Sequence, residues 1–313
     1  MRVTVTGASG LIGAALVAEL RAHDVNVTIL SRGAGDQSTL APGVETIRWD
    51  PLGEPAPAAA LAGADAVVHL AGENVAQRWT EQAKRAIRAS RVTGTRNLLA
   101  GLQAIDRSAA PPAKQVVGQR PRTLISASAI GYYGAHGEEP LDEDTPPGND
   151  FLAETCVAWE AEAERARELG MRVVKLRTGV VLDREGGALK KMLLPFRLGV
   201  GGPVAGGRQY ISWIHREDLV GLMMAALEDE RWSGPVNGTA PEPVSNRDFS
   251  HTLGHVLHRP SLLPVPGIAL RLLYGEMAEI VTTGARVLPA KALVLGYRFR
   301  HARLEEALRS ALG

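Results

Sequence analysis

Thr6-Gly7-Ala8-Ser9-Gly10-Leu11-Ile12-Gly13 is the stretch that decides the reading of this chain. Before it, Arg2–Thr6 (RVTVT) is a short β-branched run that breaks at Gly7. After it, apolar residues return at helical spacing from Leu11 to Leu20, so the segment reads strand, tight turn, helix. In that setting each glycine does something physical. Gly7 permits the turn, Gly10 lets backbone approach a pyrophosphate, and Gly13 lets the helix pack closely on the strand. Phosphates then meet the free N–H groups and the positive end of the helix, so Ser9, Leu11 and Ile12 join the glycines as candidate binding residues.

Working outward, Val25–Leu30 reads as a second strand, with Gly33, Gly35 and Pro42 marking a loop before a third at Val44–Trp49. Ala66–Leu70 is a fourth, continuously apolar as suits a strand covered on both faces. Thr80–Leu102 predicts a long helix, Thr123–Ala127 the start of a fifth strand, Phe151–Leu169 a helix and Val173–Leu176 a sixth strand. Strand and helix alternate throughout, which predicts an α/β fold with a Rossmann-like, doubly wound parallel sheet over residues 1–182. A smaller C-terminal α/β substrate lobe, partly packed back on the first domain, is expected over 183–313.

In that second part Gly186–Gly207 reads as a glycine-punctuated, substrate-side loop. Beyond it Gln209–Ile214 reads as a strand, Glu217–Glu228 as a helix, and Ser245–Leu257 as a helix with Ser245 as its N-cap. The Ala/Pro segment Pro55–Ala62 and the stretch Ala109–Pro121 read as surface connections.

The end of the second strand sets the cofactor. A carboxylate there would accept hydrogen bonds from a ribose 2′-hydroxyl, but this chain has Ser31-Arg32. A hydroxyl and a guanidinium both donate to a 2′-phosphate, so NADP(H) is expected in preference to NAD(H).

Bulk properties narrow the partners. Thirty-five basic and 34 acidic side chains give a formal net charge of +1, which calls for neither a nucleic acid nor a membrane surface. Apolar runs such as Ala66–Ala71 fall far short of the roughly 20 residues that cross a bilayer. The single Cys156 forms no intrachain disulfide and the chain opens without a leader-like segment, so a cytoplasmic location is expected. The sequence calls for no metal. The substrate is expected to be a small molecule of unknown identity, and a homodimer is the working expectation for assembly.

Taken together, TGASGLIG, Asp65-Ala66-Val67-Val68-His69-Leu70-Ala71-Gly72, Arg91-Val92-Thr93-Gly94-Thr95 and Ser126-Ala127-Ser128 resemble the extended short-chain dehydrogenase/reductase family. That group includes the nucleotide-sugar epimerases and dehydratases. Later segments, Leu176-Arg177-Thr178-Gly179-Val180-Val181, Trp213-Ile214-His215 and Asn237-Gly238, extend the resemblance over nearly the whole chain. Leu70-Ala71-Gly72-Glu73-Asn74, Trp159-Glu160 and Leu193–Gly199 are similar to the branch called epimerase-family proteins of the SDR39U type. Its members carry a C-terminal domain of unknown function, here about Pro260–Gly313. The resemblance implies that Leu70, Ala71 and Gly72 face the cofactor, that Arg91 lies near it, and that Val181 lines the nicotinamide end. Arg91 stands where relatives often have Asn, and a surface charge is its other reading. Asp65, ahead of a buried strand, reads as structural.

Relatives that oxidise or reduce a carbinol use a Tyr-x-x-x-Lys pair, in which lysine lowers the tyrosine pKa. This chain has none: Tyr132, Tyr133, Tyr210, Tyr274 and Tyr297 are followed four residues on by His136, Gly137, Ile214, Ala278 and His301. Alignment on Trp159-Glu160 puts Leu152 and Cys156 in the two places, and Cys156 reads as a small buried helix residue. Ser128 keeps the position of the family's substrate-binding serine, with a backbone-bonded strand-end hydroxyl as the alternative. Tyr132 and Tyr133 follow it and could supply a phenol or serve only in aromatic packing. Glu160 and Glu73 are further acid/base candidates, and His215 reads as structural. Two functions fit: an oxidoreductase or epimerase-like enzyme with a displaced acid/base group, or an NADP(H)-binding sensor that has lost the chemistry.

Overall fold

A run of strands buried on both faces needs helices above and below it, and the computed structural model supplies them. It describes residues 1–33, 44–107 and 119–313. Gly35 and Pro42 of the expected loop, and most of Ala109–Pro121, lie outside the described residues. The first half runs β1 (Arg2–Thr6), α1 (Leu11–Ala22), β2 (Asn26–Ser31), β3 (Glu45–Arg48), α2 (Ala58–Leu61), β4 (Ala66–His69), α3 (Glu81–Arg107), β5 (Thr123–Ala129), β6 (Pro140–Leu141), α4 (Phe151–Glu164), β7 (Arg172–Thr178) and β8 (Val180–Leu182). The second runs α5 (Gly187–Arg197), β9 (Tyr210–Ile211), β10 (Trp213–His215), α6 (Arg216–Glu228), β11 (Gly234–Gly238), β12 (Val244–Ser245), α7 (Asn246–Val256), α8 (Gly267–Tyr274), α9 (Ala278–Thr282), β13 (Arg286–Val287), α10 (Ala290–Val294) and α11 (Leu304–Leu312).

Seven strands form the main sheet in the order β11-β7-β5-β4-β1-β2-β3, with every neighbouring pair parallel. Consecutive strand residues point to opposite faces. Val68, Ile125 and Val174 therefore meet Leu16 and Leu20 of α1 and Leu219 and Met223 of α6, while Val67, Leu124 and Val173 meet Leu98 and Leu102 of α3. Residues 183–313 partly return to this sheet, because β11 forms its edge and α6 covers one face. The remainder builds a third core around Leu189, Phe196, Trp213, Phe249 and Leu308.

Four local readings change. Gly187–Arg197 is a helix inside the segment expected to be a loop. Leu189, Leu193 and Phe196 make a buried stripe on it that outweighs the flanking glycines and Pro195. The expected strand Gln209–Ile214 is two short strands parted at Ser212, whose Oγ donates to Ala285 O and accepts from Val287 N–H. Pro55–Ala62 is not a mere surface connection: Ala56, Ala60 and Leu61 are buried in the core beneath α3. The helix expected to reach Leu169 ends at Glu164 and tightens into a 3₁₀ turn before the left-handed Gly170.

Two histidines titrate with this fold. His69, buried in β4, and His215, whose Nδ1 accepts the Glu217 N–H to cap α6, are both pushed down from 6.5 to about 4, first of all by burial. The unfolded chain therefore binds protons that the folded chain sheds. Stability should be full above about pH 6.5 and decline on acidification towards pH 4. Urea midpoints measured across that window should fall with pH, and the slope between pH 6.5 and 5 should be shallower in His69→Gln. A midpoint independent of pH over that range would contradict this.

Candidate dinucleotide and reaction site

Parallel order alone fixes where a ligand can sit. The sheet reverses its direction of growth at β1, so the crevice opens above the C-terminal ends of β1, β2 and β4. Gly7 takes φ +72°, and a Cβ there would stand 2.7–2.8 Å from the Leu70–Ala71 backbone. A Cβ on Gly13 would stand 2.3 Å from the Gly7 carbonyl oxygen. Gly10 differs, because its added Cβ would meet only the Gly7 oxygen, at 3.3 Å. The first two glycines are required by the protein's own packing, while Gly10 leaves room for something else.

Helix α1 starts at Gly10 without a side-chain cap and carries no acidic residue in its first turn. Its N-terminal dipole is thus uncompensated by the chain itself, which suits an anion. Ser9 and Gly10 are exposed, Leu11 and Ile12 half-buried. Across the crevice the register places Thr6 beside Leu30 on one side and beside His69 on the other. Ser31 and the exposed Arg32 therefore stand next to the turn, and so do Leu70, Ala71 and Gly72. The residues present fit a dinucleotide bearing a 2′-phosphate.

The strand ends are tied together. Thr6 Oγ1 lies 2.7 Å from His69 Nδ1 and accepts the Ala71 N–H at 3.2 Å. Arg91 lies against Gly72, with its guanidinium 3.4–3.6 Å from where a Cβ there would be, and donates to the Glu73 and Ile87 carbonyls. Trp159 covers Arg91 at 5.1 Å. Arg91 is thus a mostly buried cation that shapes the crevice floor, and desolvation lowers its pKa. Glu73, the acid/base candidate of this loop, is pinned through its N–H to Ser90 Oγ. Asp65 accepts the Arg2 N–H at 2.7 Å, a structural role.

The catalytic candidates lie at the end of β5, within a buried polar chain. Ser128 Oγ donates to Glu160 at 2.7 Å. Arg177 of β7 holds the same carboxylate through Nε at 2.8 Å and Nη2 at 3.0 Å, with both side chains almost fully buried. Its Nη1 donates to the Tyr133 hydroxyl at 3.0 Å, and that hydroxyl donates to Asn237 Oδ1 at 2.7 Å. Asn237 N–H in turn donates to Glu143, whose carboxylate also receives the Lys291 N–H. Burial pushes Tyr133 up to about 12.

Tyr133 is fully enclosed, so its phenol belongs to this chain of bonds. Tyr132 is half-buried, with the Arg177 guanidinium 3.5 Å from its ring centre. Leu152 packs beside Gly131, and Cys156 lies next to Ser128 with its thiol pushed up to about 12, chiefly by burial. Neither can exchange a proton near neutrality.

The second half of the chain closes the other wall. Gly186 packs on Leu11, Val181 precedes it on β8, and Lys191 of α5 donates to the Ala76 carbonyl at 2.7 Å. Glu276, beyond α8, pairs with Lys84 at the start of α3.

A glycine cradle at the reversal point of a parallel sheet makes this an α/β dinucleotide-binding protein. Residues 3–237 match the model of the NAD dependent epimerase/dehydratase family, and the chain belongs to that family. Within it the chain is of the SDR39U1 type. Residues 265–311 match a domain of unknown function, DUF1731, close to the boundaries expected from the sequence. The chloroplastic SDR39U1 homolog of Arabidopsis thaliana is 39% identical over 320 residues, covering 100% of this chain and 87% of its own length. Epimerase family protein YfhF of Bacillus subtilis is 38% identical over 309 residues, covering 98% of this chain and 97% of its own. The crystal structure of human SDR39U1 (isoform 2) with NADPH superposes with a TM-score of 0.85 at 35% identity and covers 100% of both chains.

Arg177, Glu143, Asn237 and Lys291 carry the polar chain, and sequence reasoning assigned none of them a role. The signal present in the sequence was Arg177 at the C-terminal end of a strand of the parallel sheet, where a buried charge needs a partner, and it was faint because the same strand also carries Arg172 and Lys175. Because Glu160 would be left buried and unpaired, Arg177→Ala should destabilise the protein by roughly 3–5 kcal/mol. Tyr133→Phe, which strands one donor and one acceptor, should cost about 1–3 kcal/mol. Urea unfolding checks both, and a loss for Arg177→Ala no larger than that for Tyr133→Phe would contradict the assignment.

Proposed function

We propose that the protein binds NADP(H) in the crevice above β1, β2 and β4 and performs an epimerase-type oxidation–reduction on a small polar substrate in the cytoplasm. The observation that carries this reading is the Gly7–Gly13 cradle with Ser31 and Arg32, and no carboxylate at either of those positions, beside it. NADPH in the crystal structure of the human relative supports it. The N–H groups of α1 receive the pyrophosphate, Gly10 gives it room, and Ser31 with Arg32 donates to the 2′-phosphate. When bound, NADP(H) supplies a hydride donor or acceptor. Arg32→Ala should weaken NADPH by roughly 1–3 kcal/mol in calorimetry and leave NADH almost unchanged. Equal affinity of the unmutated protein for both cofactors would overturn the preference.

Proton exchange needs another group, because the positions of the Tyr–Lys pair hold Leu152 and Cys156. Ser128 is committed to Glu160, and Tyr133 is enclosed. Tyr132 is half-buried rather than enclosed, and it exchanges the proton in this reading. Tyr132→Phe should reduce turnover about 10²- to 10⁴-fold while NADPH affinity stays the same. The committed hydroxyls also favour a second reading, a sensor that binds the cofactor without turnover. Tight NADPH binding with no turnover across a broad panel of carbonyl compounds would select it.

A further inference from the structure

Most of the large apolar side chains that stand exposed among the described residues fall between Leu194 and Val294. Leu194, Leu198, Leu262, Ile268 and Leu272 are 67–79% exposed, with Leu263 beside them at 53%. They come from two segments that touch. Arg259 Nε donates to the Arg197 carbonyl, Gly202 packs on the Leu263 backbone, and Val204 bridges to Val265. On α5 the buried stripe Leu189, Leu193 and Phe196 leaves Leu194 outward, with Leu198 just past the end of the helix. On α8 Ile268 and Leu272, four residues apart, share a face.

The charges on these segments are of one sign. Residues 186–210 and 258–275 contain Lys190, Lys191, Arg197, Arg208, Arg259 and Arg271, and no Asp or Glu, in a chain whose total charges nearly cancel. The carboxylates Glu276 and Glu279 stand at the margin, the first paired with Lys84 and the second 3.8 Å from Arg271, and of the cations Lys191 is turned to the Ala76 carbonyl. Protruding leucines on segments rich in basic residues are the surface chemistry of a protein that rests on anionic lipid, with apolar tips below the headgroups and cations among them. A two-fold contact between copies would oppose these basic segments to themselves. A nucleic acid would leave the leucines uncovered.

From this juxtaposition of exposed leucines and predominantly basic charge we infer that the α5–α8 face docks peripherally on an anionic bilayer surface. The balanced total charge calls for no membrane-surface partner, but it averages over the whole chain, whereas these two touching segments carry basic residues and no acidic one. Docking requires no spanning segment, and no helix among the described residues is long and apolar enough to cross a membrane.

Flotation of the full chain with vesicles tests this. The protein should float with phosphatidylcholine vesicles containing about 30% phosphatidylserine, stay behind with phosphatidylcholine alone, and be released by high salt. Leu198→Glu with Leu272→Glu should abolish flotation, and Arg271→Glu should weaken it by at least about tenfold. Thermal unfolding and NADPH affinity of these variants should match the parent, which separates loss of docking from loss of fold. Absence of flotation with the anionic vesicles at low salt would overturn the inference. So would flotation indifferent to the leucine changes, or a solution dimer that those changes split while flotation stays the same.

Discussion

The close approach of Gly7 to the ends of β1 and β4 is the constraint on which the rest depends. With no side chain and φ +72°, the turn can pass within touching distance of Leu70 and Ala71, and α1 can start directly over it because Gly13 sits on the Gly7 carbonyl. From that point the strand order runs outward in both directions. The crevice, the uncapped helix end and the neighbouring Ser31–Arg32 pair are all consequences of one turn placed where the sheet reverses.

A second constraint governs the chemistry. The Arg177–Glu160 pair is buried, and burying charge is tolerable only when every polar atom around it finds a partner. Ser128 and Tyr133 provide those partners, and through Asn237 and Glu143 the chain of bonds extends to β11 and the start of α10. A hydroxyl used in this way is a poor proton carrier. The same bonds that fasten the second half of the protein onto the sheet therefore occupy the hydroxyls of Ser128 and Tyr133, while Tyr132 is half-buried beside Arg177.

What could be read from the sequence divides along physical lines. The β1-turn-α1 unit was legible because three glycines and a β-branched run act within a dozen residues, and the Ser245 cap was legible for the same local reason: its Oγ accepts the Asp248 N–H. Helix α5 was hidden by its glycines and Pro195, since it is the distant Trp213 and Phe249 that pack against Leu189 and Phe196. The polar chain was hidden because its members lie as far apart as Ser128 and Lys291, and no spacing rule joins them. The basic, leucine-rich face was invisible to a net charge of +1, which averages over the surface.

The distinction between glycines that serve packing and the glycine that serves a ligand is the claim most open to direct test. A Cβ at Gly10 meets only one carbonyl oxygen of the protein, at a distance a small shift relieves, and the branched side chain of Gly10→Val would stand where the pyrophosphate must approach backbone. NADPH titration of Gly10→Val by calorimetry, alongside thermal unfolding, is the decisive measurement. Gly10→Val should unfold close to the parent's temperature and no longer bind NADPH. Binding at the parent's affinity would contradict it and move the cofactor away from this turn.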